Sequence, residues 1–203
     1  MIHGRDDLFN WIIQIPLLRA AELGHLEIIK LLLDHLDIDV DCMVEESNRT
    51  PLSHAAEKGY WEIVNLLLDR GACPCSKDRI DRTPLSYAAE EGHCAIVNLL
   101  LEKGAEPCYR DLNDKTPLSY AAEKGFWRTI NLLLLNGADP LSGDQPGRTL
   151  LSYAAENEQW KTVNLLLGEI ASAGARSPVC ENTEIIHTKL HHLKIDGSGK
   201  EDF

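Results

Sequence analysis

Thr116–Pro140 reads TPLSYAAEKGFWRTINLLLLNGADP. Stepping back 33 residues to Thr83 gives TPLSYAAEEGHCAIVNLLLEKGAEP, and the same step again to Thr50 gives TPLSHAAEKGYWEIVNLLLDRGACP. Ahead, TLLSYAAENEQWKTVNLLLG opens at Thr149. Self-similarity at a fixed period of this length marks a stacked array, in which one small supersecondary unit is written repeatedly because no single copy can bury its own apolar face.

The unit from Thr83 shows how. The Thr83 hydroxyl suits a helix N-cap, and Pro84 suits the first helical turn, where its missing N–H is no loss. LSYAAEE continues as a short helix, with Ala88 and Ala89 small enough for close packing. Gly92 ends it in the left-handed conformation that glycine adopts most cheaply. CAIVNLLLEK then gives a second helix with Ile96, Val97, Leu99, Leu100 and Leu101 as a broad apolar face, closed by Gly104. The polar stretch AEPCYRDLNDK, with Pro107, returns as an extended loop to Thr116. Helices of two or three turns are marginal alone, so the repetition is itself the hydrophobic core.

These copies resemble the ankyrin repeat, with its Thr-Pro-Leu helix start, Ala-Ala pair and Gly-Ala-Asp finger, and the wording is similar to that of fungal ankyrin arrays. A fifth copy, IPLLRAAELGHLEIIKLLLDHLDIDVD from Ile15, keeps the AA and GHLEII but lacks the Thr, and its loop is two residues longer. The resemblance implies an all-α fold, an ankyrin-repeat solenoid of stacked helix-turn-helix units with projecting loop fingers. The expected organisation is an N-terminal covering helix over 1–14 and five repeats over 15–175, starting near 15, 50, 83, 116 and 149. A C-terminal cap segment over 176–195 and a disordered tail over 196–203 follow. Where the family usually carries His two residues after the Pro, this chain has Ser53, Ser86, Ser119 and Ser152. The last copy has Leu150 for Pro and Glu158 for the helix-ending Gly, as expected of a capping repeat.

The formal charge of −12 over 203 residues argues against a nucleic-acid or anionic membrane partner, both of which need clustered Lys and Arg. No apolar run approaches the roughly 18 residues needed to cross a bilayer. The acids near the N-terminus do not fit a secretory signal. Six cysteines without signs of secretion read as free thiols in a cytoplasmic or nuclear protein. Cys42, Cys75 and Cys108 each lie eight residues before a repeat Thr, in successive layers roughly 8–10 Å apart, too far for a disulfide. His187 and His191 have the i, i+4 spacing of metal ligands, but no third ligand accompanies them persuasively, so neither a metal nor a cofactor is expected.

In the family, fingers and first helices line a concave binding surface, and the resemblance carries a set of ladders onto it. Arg49, Arg82, Lys115 and Arg148 precede the repeat starts; His54, Tyr87, Tyr120 and Tyr153 lie on the first helices; Glu57, Glu90, Glu123 and Glu156 follow the Ala-Ala pairs. The expectation is an aromatic stripe between a basic and an acidic rail, binding a protein or peptide segment to a monomeric, non-enzymatic module. A small-molecule binder or an atypical acid–base isomerase or cyclase using the groove Tyr and Glu residues is the alternative. Trp61, Trp127 and Trp160 share one repeat position at the start of the second helix and read as core; Tyr60 and Phe126, just before two of them, read as candidates for exposure.

Overall fold

The computed structural model describes residues 14–35, 38–43, 47–142, 149–156 and 160–174. These form ten helices, with no strand beyond an isolated bridge at Thr149. Helix α1 spans 14–23 and pairs with α2, Leu26–His35, as the first layer. The next layers are α3 (Pro51–Lys58) with α4 (Trp61–Asp69), α5 (Pro84–Glu90) with α6 (Cys94–Glu102), and α7 (Pro117–Lys124) with α8 (Trp127–Leu135). The final pair is α9 (Leu150–Glu156) and α10 (Trp160–Gly174). First helices pack in the row α3, α5, α7, α9, and second helices in the row α2, α4, α6, α8. The chain divides into two compact units, Met1–Leu166 and Leu167–Phe203, with α10 running through the boundary. The expected covering helix lies outside the described residues apart from Gln14, which opens α1; the expected cap and tail lie outside them entirely.

The start of each layer follows the sequence chemistry. Thr50, Thr83 and Thr116 are extended, and each accepts a hydrogen bond from the backbone N–H of the serine three residues on. Each threonine hydroxyl also pairs with that serine's hydroxyl. Thr50 and Thr116 pair further with Ser76 and Ser142, 26 residues ahead, so in these two repeats a hydroxyl relay ties the first helix to the repeat's own finger where the family's His is absent. Thr149 still caps α9 without the proline, accepting from the Ser152 N–H at 3.3 Å.

Each second helix fills the core from its inner face. Ile63, Val64 and Leu67, then Ile96, Val97 and Leu100, then Ile130 and Leu133 are essentially inaccessible to solvent. The turn between paired helices is set by stacking between layers. Gly24, Gly59 and Gly92 all have positive φ, and an added Cβ on each would collide with the ring of Tyr60, His93 and Phe126 respectively, coming within 2.5 Å of Phe126. Glycine is therefore required twice over, for the left-handed turn and for the aromatic ring laid across it by the next layer. The described cysteines, Cys42, Cys73, Cys75, Cys94 and Cys108, are all free. Cys42 is buried, and that burial, with Asp39 and Asp41 nearby, pushes its thiol up to about 12.

Candidate functional site

The finger bases are built on an aspartate that the sequence reading missed. One Asp78 oxygen accepts the backbone N–H groups of Ile80 and Arg82 at 2.9 and 2.8 Å. Asp111 repeats the arrangement with Asn113 and Lys115 at 2.8 and 3.0 Å. Each aspartate also donates its own N–H to the carbonyl of the residue four ahead, Arg82 or Lys115. These turns are closed by Asp81 and Asp114 at φ 62 and 57, the left-handed region that Asn and Asp tolerate better than most residues. The other carboxylate oxygen takes the hydroxyl of Tyr87, or of Tyr120, at 2.5 Å. One buried carboxylate thus fastens the finger to the first helix of the repeat that follows it. The signal was present: Glu45, Asp78, Asp111 and Asp144 stand five residues before each repeat Thr.

The structure brings the expected ladders together but interleaves them. Arg82 lies between two rings, 4.0 Å from the Tyr87 centroid and 4.2 Å from that of Tyr120. Arg49 covers the Tyr87 ring as well, at 4.1 Å. Lys115 continues the series, 5.3 Å from Tyr120 and 6.0 Å from Tyr153. Each such contact is worth about 0.5–2 kcal/mol, more as water is excluded. The cations are held in turn by carboxylates eight residues on: Arg49 by Glu57 at 2.6 Å, Arg82 by Glu90, and Lys115 by Glu123 at 2.5 Å. The tyrosines are closed off, at 6, 6 and 8% exposure for Tyr87, Tyr120 and Tyr153. His54, which takes the ring position in its repeat, is 5% exposed. Solvent reaches this column at the glutamates, whose side chains are 27, 25 and 23% exposed at Glu57, Glu90 and Glu123, and at Lys115, 22% exposed. Arg148 lies outside the described residues.

The electrostatics match the geometry. Burial, reinforced by the hydrogen bond to a carboxylate, pushes the Tyr87 and Tyr120 phenols well above their ordinary range. Burial acts to raise Glu57, but the Arg49 guanidinium outweighs it and leaves the carboxyl below its usual value. The site is a set of neutral phenols with cations and carboxylates fixed around them.

The opposite end of the helix pairs corrects one expectation. Trp61, Trp127 and Trp160, read as core, are 43, 42 and 58% exposed. They begin α4, α8 and α10, where the core has already been filled by the residues two and three positions on, such as Ile63, Val64 and Ile130. An apolar residue recurring at one repeat position looks like core in the sequence, yet the first residue of these helices lies at the outer edge of the layer. Phe126 is 36% exposed and Tyr60 is half-buried, each with its ring on the preceding layer's glycine. Beside Phe126 and Trp127 opens a cleft of about 410 Å³, bordered by Gly92, Cys94, Arg128 and Thr129.

Among the described residues, no group of three His, Cys, Asp or Glu side chains is placed to hold a metal ion, and no helix is long and apolar enough to cross a membrane. His187 and His191 lie outside them. The family model for ankyrin repeats (3 copies) matches residues 5–78 and 85–177. No curated protein matches the chain at a significant level. Ankyrin repeats generally mediate protein–protein interaction and are typically not enzymes. With the family model covering most of its length and its helix pairs stacked in register, the chain belongs to the ankyrin repeat family.

Proposed function

We propose that this array is a non-catalytic module that binds a protein or an extended peptide segment across the face of its first helices and finger bases. The observation that carries the reading is the row Glu57, Glu90 and Glu123. Each carboxylate is clamped on one side by a cation of the column while remaining about a quarter exposed. Three such groups at the repeat spacing offer fixed hydrogen-bond acceptors to a segment lying across several layers. The Arg49 and Arg82 side chains and the rings of Tyr87, Tyr120 and Tyr153 act from beneath, Lys115 is about as exposed as Glu123, and in the sequence His54 and Arg148 stand at the equivalent repeat positions. The ordering cost of these long side chains is met during folding, which favours affinity. A chain of net charge −12 suits a partner segment carrying Lys or Arg, attracted over distance and then held by the glutamates.

The small-molecule or acid–base reading loses weight on the same geometry. The Tyr87 and Tyr120 rings face cations, and their hydroxyls are committed to Asp78 and Asp111. A phenol held well above its ordinary value is a poor base at neutral pH.

The test is comparative affinity capture from the source cell with the wild-type chain and with a variant carrying Glu57→Gln, Glu90→Gln and Glu123→Gln. Proteins held through this face should be lost with the triple variant, at matched folded fraction by thermal unfolding. Equal capture by two equally folded chains contradicts the reading.

A further inference from the structure

The row of exposed tryptophans at the helix-turn edge has one gap. Trp61, Trp127 and Trp160 open the second helices of their layers, and the layer between the first two carries Cys94 instead. The 410 Å³ cleft lies at that gap, bordered by Cys94, Gly92 and Thr129 and flanked by Phe126, Trp127 and Arg128. The space that an indole would occupy in a regular row is therefore open, beside aromatic side chains that are themselves 36 and 42% exposed. Its floor is fixed: the Cys94 thiol and the Thr129 hydroxyl lie 3.2 Å apart, and the Phe126 ring rests on Gly92.

Charge at this edge is arranged differently from that on the first-helix face. Arg19, Lys30, Arg49, Arg70, Arg82, Lys103 and Lys115 all pair with carboxylates. Lys124, Arg128 and Lys161, all exposed, make no ion pair with a described residue. Arg128 and Lys161 instead flank the Trp127 ring, at 5.2 and 5.6 Å from its centroid. An acidic chain thus leaves two cations without acids beside one aromatic opening.

We propose that this edge is a second interaction surface, which takes an acidic segment of another protein by inserting one of its aromatic side chains into the gap at Cys94. The inserted ring stacks in the row beside Trp127. Carboxylates flanking it along the segment pair with Arg128 and Lys161, which draws the acidic flank toward α8 and α10. Aromatic anchoring in a pocket supplies the energy, and the charge pattern supplies the orientation.

The probe is a fluorescein-labelled peptide of twelve residues, Asp and Glu around a central Phe, titrated with the full chain and read by anisotropy. Two control peptides replace the Phe by Ala or the acids by Lys. The Phe-containing acidic peptide should bind at least tenfold more tightly than either control. Cys94→Trp, which fills the gap and completes the row, should weaken it at least tenfold at an unchanged unfolding midpoint. Arg128→Glu with Lys161→Glu should do the same, and the milder Arg128→Gln with Lys161→Gln serves if the reversal disturbs folding. Glu57→Gln with Glu90→Gln on the first-helix face should leave this binding intact, separating the two surfaces. Equal affinity for all three peptides, or undiminished binding by a folded Cys94→Trp chain, overturns the proposal. Concentration-dependent self-association abolished by Trp127→Ala would assign the edge to a second copy of this chain and overturn it as well.

Discussion

On the first-helix face, Arg82 is pressed between the rings of Tyr87 and Tyr120 and pairs with Glu90. At the turn edge, Trp127 is 42% exposed, with Arg128 and Lys161 beside it and no described carboxylate paired to either cation. Both regions arise from the same repeated sentence. They differ in how faithfully it is copied. The described part of the first-helix face repeats cation, ring and acid in each central layer, so each cation meets a ring and a carboxylate and the column closes. Within it, the buried Nε atoms of Arg49 and Arg82 lack a hydrogen-bond partner among the described residues. At the turn edge the copies diverge: Trp61–Glu62, Cys94–Ala95, Trp127–Arg128 and Trp160–Lys161. Divergence leaves groups unmatched, and unmatched groups are available to something else. In an array, strict repetition builds the scaffold and departures from it create individuality.

The sharpest way to break this comparison is to remove one row or the other. Tyr87→Ala with Tyr120→Ala should cost at least ~4 kcal/mol in urea unfolding, since each loss opens a cavity and unpairs a buried aspartate. A smaller effect than that of an exposed aromatic would erase the distinction between the two faces. Asp111→Ala comes next. It strands the N–H groups of Asn113 and Lys115 and the Tyr120 hydroxyl, for an expected loss of about 3 kcal/mol.

The pH dependence sharpens the same point. Tyr87 and Tyr120 are held above their ordinary value in the folded chain. The stability they contribute is therefore complete below about pH 10, the ordinary phenol value, and is lost as pH rises from there toward the raised folded value. The urea midpoint of the wild-type chain should fall more steeply above about pH 10 than that of a Tyr87→Phe, Tyr120→Phe variant. Parallel profiles would mean that the two hydroxyls are not buried against carboxylates. The smallest effect belongs to the turn edge, where Trp127→Ala should change stability by less than ~1 kcal/mol, as for a surface position.

Much of this was legible beforehand, and the exceptions have physical causes. Thr-Pro starts, Ala-Ala pairs and helix-ending glycines gave the helix pairs and their order, because capping and turn chemistry are local. The tyrosine ladder was visible as a ladder, but its burial was not. Burial depended on Asp78 and Asp111, which lie nine residues away in the finger and become neighbours of the rings only through a turn closed at Asp81 and Asp114. The tryptophans were misread for the opposite reason. Apolar recurrence signals the core only when the phase around the helix is right, and Trp61 and Trp127 fall at the outer end of helices whose inner faces begin with Ile63 and Thr129. The gap at Cys94 could be seen only by asking what a missing indole leaves behind.

Hydroxyl-radical footprinting of the unmodified chain, read residue by residue by mass spectrometry, tests the division between closed column and open edge most directly. Intrinsic reactivities of Trp and Tyr are corrected against the urea-unfolded chain. Trp61, Trp127 and Trp160 should be oxidised at close to their unfolded rates, while Tyr87, Tyr120 and Tyr153 should be protected by at least about tenfold, in keeping with exposures of 6–8% against 42–58%. Tyrosines labelled as fast as the tryptophans, or tryptophans as protected as the tyrosines, would contradict the account.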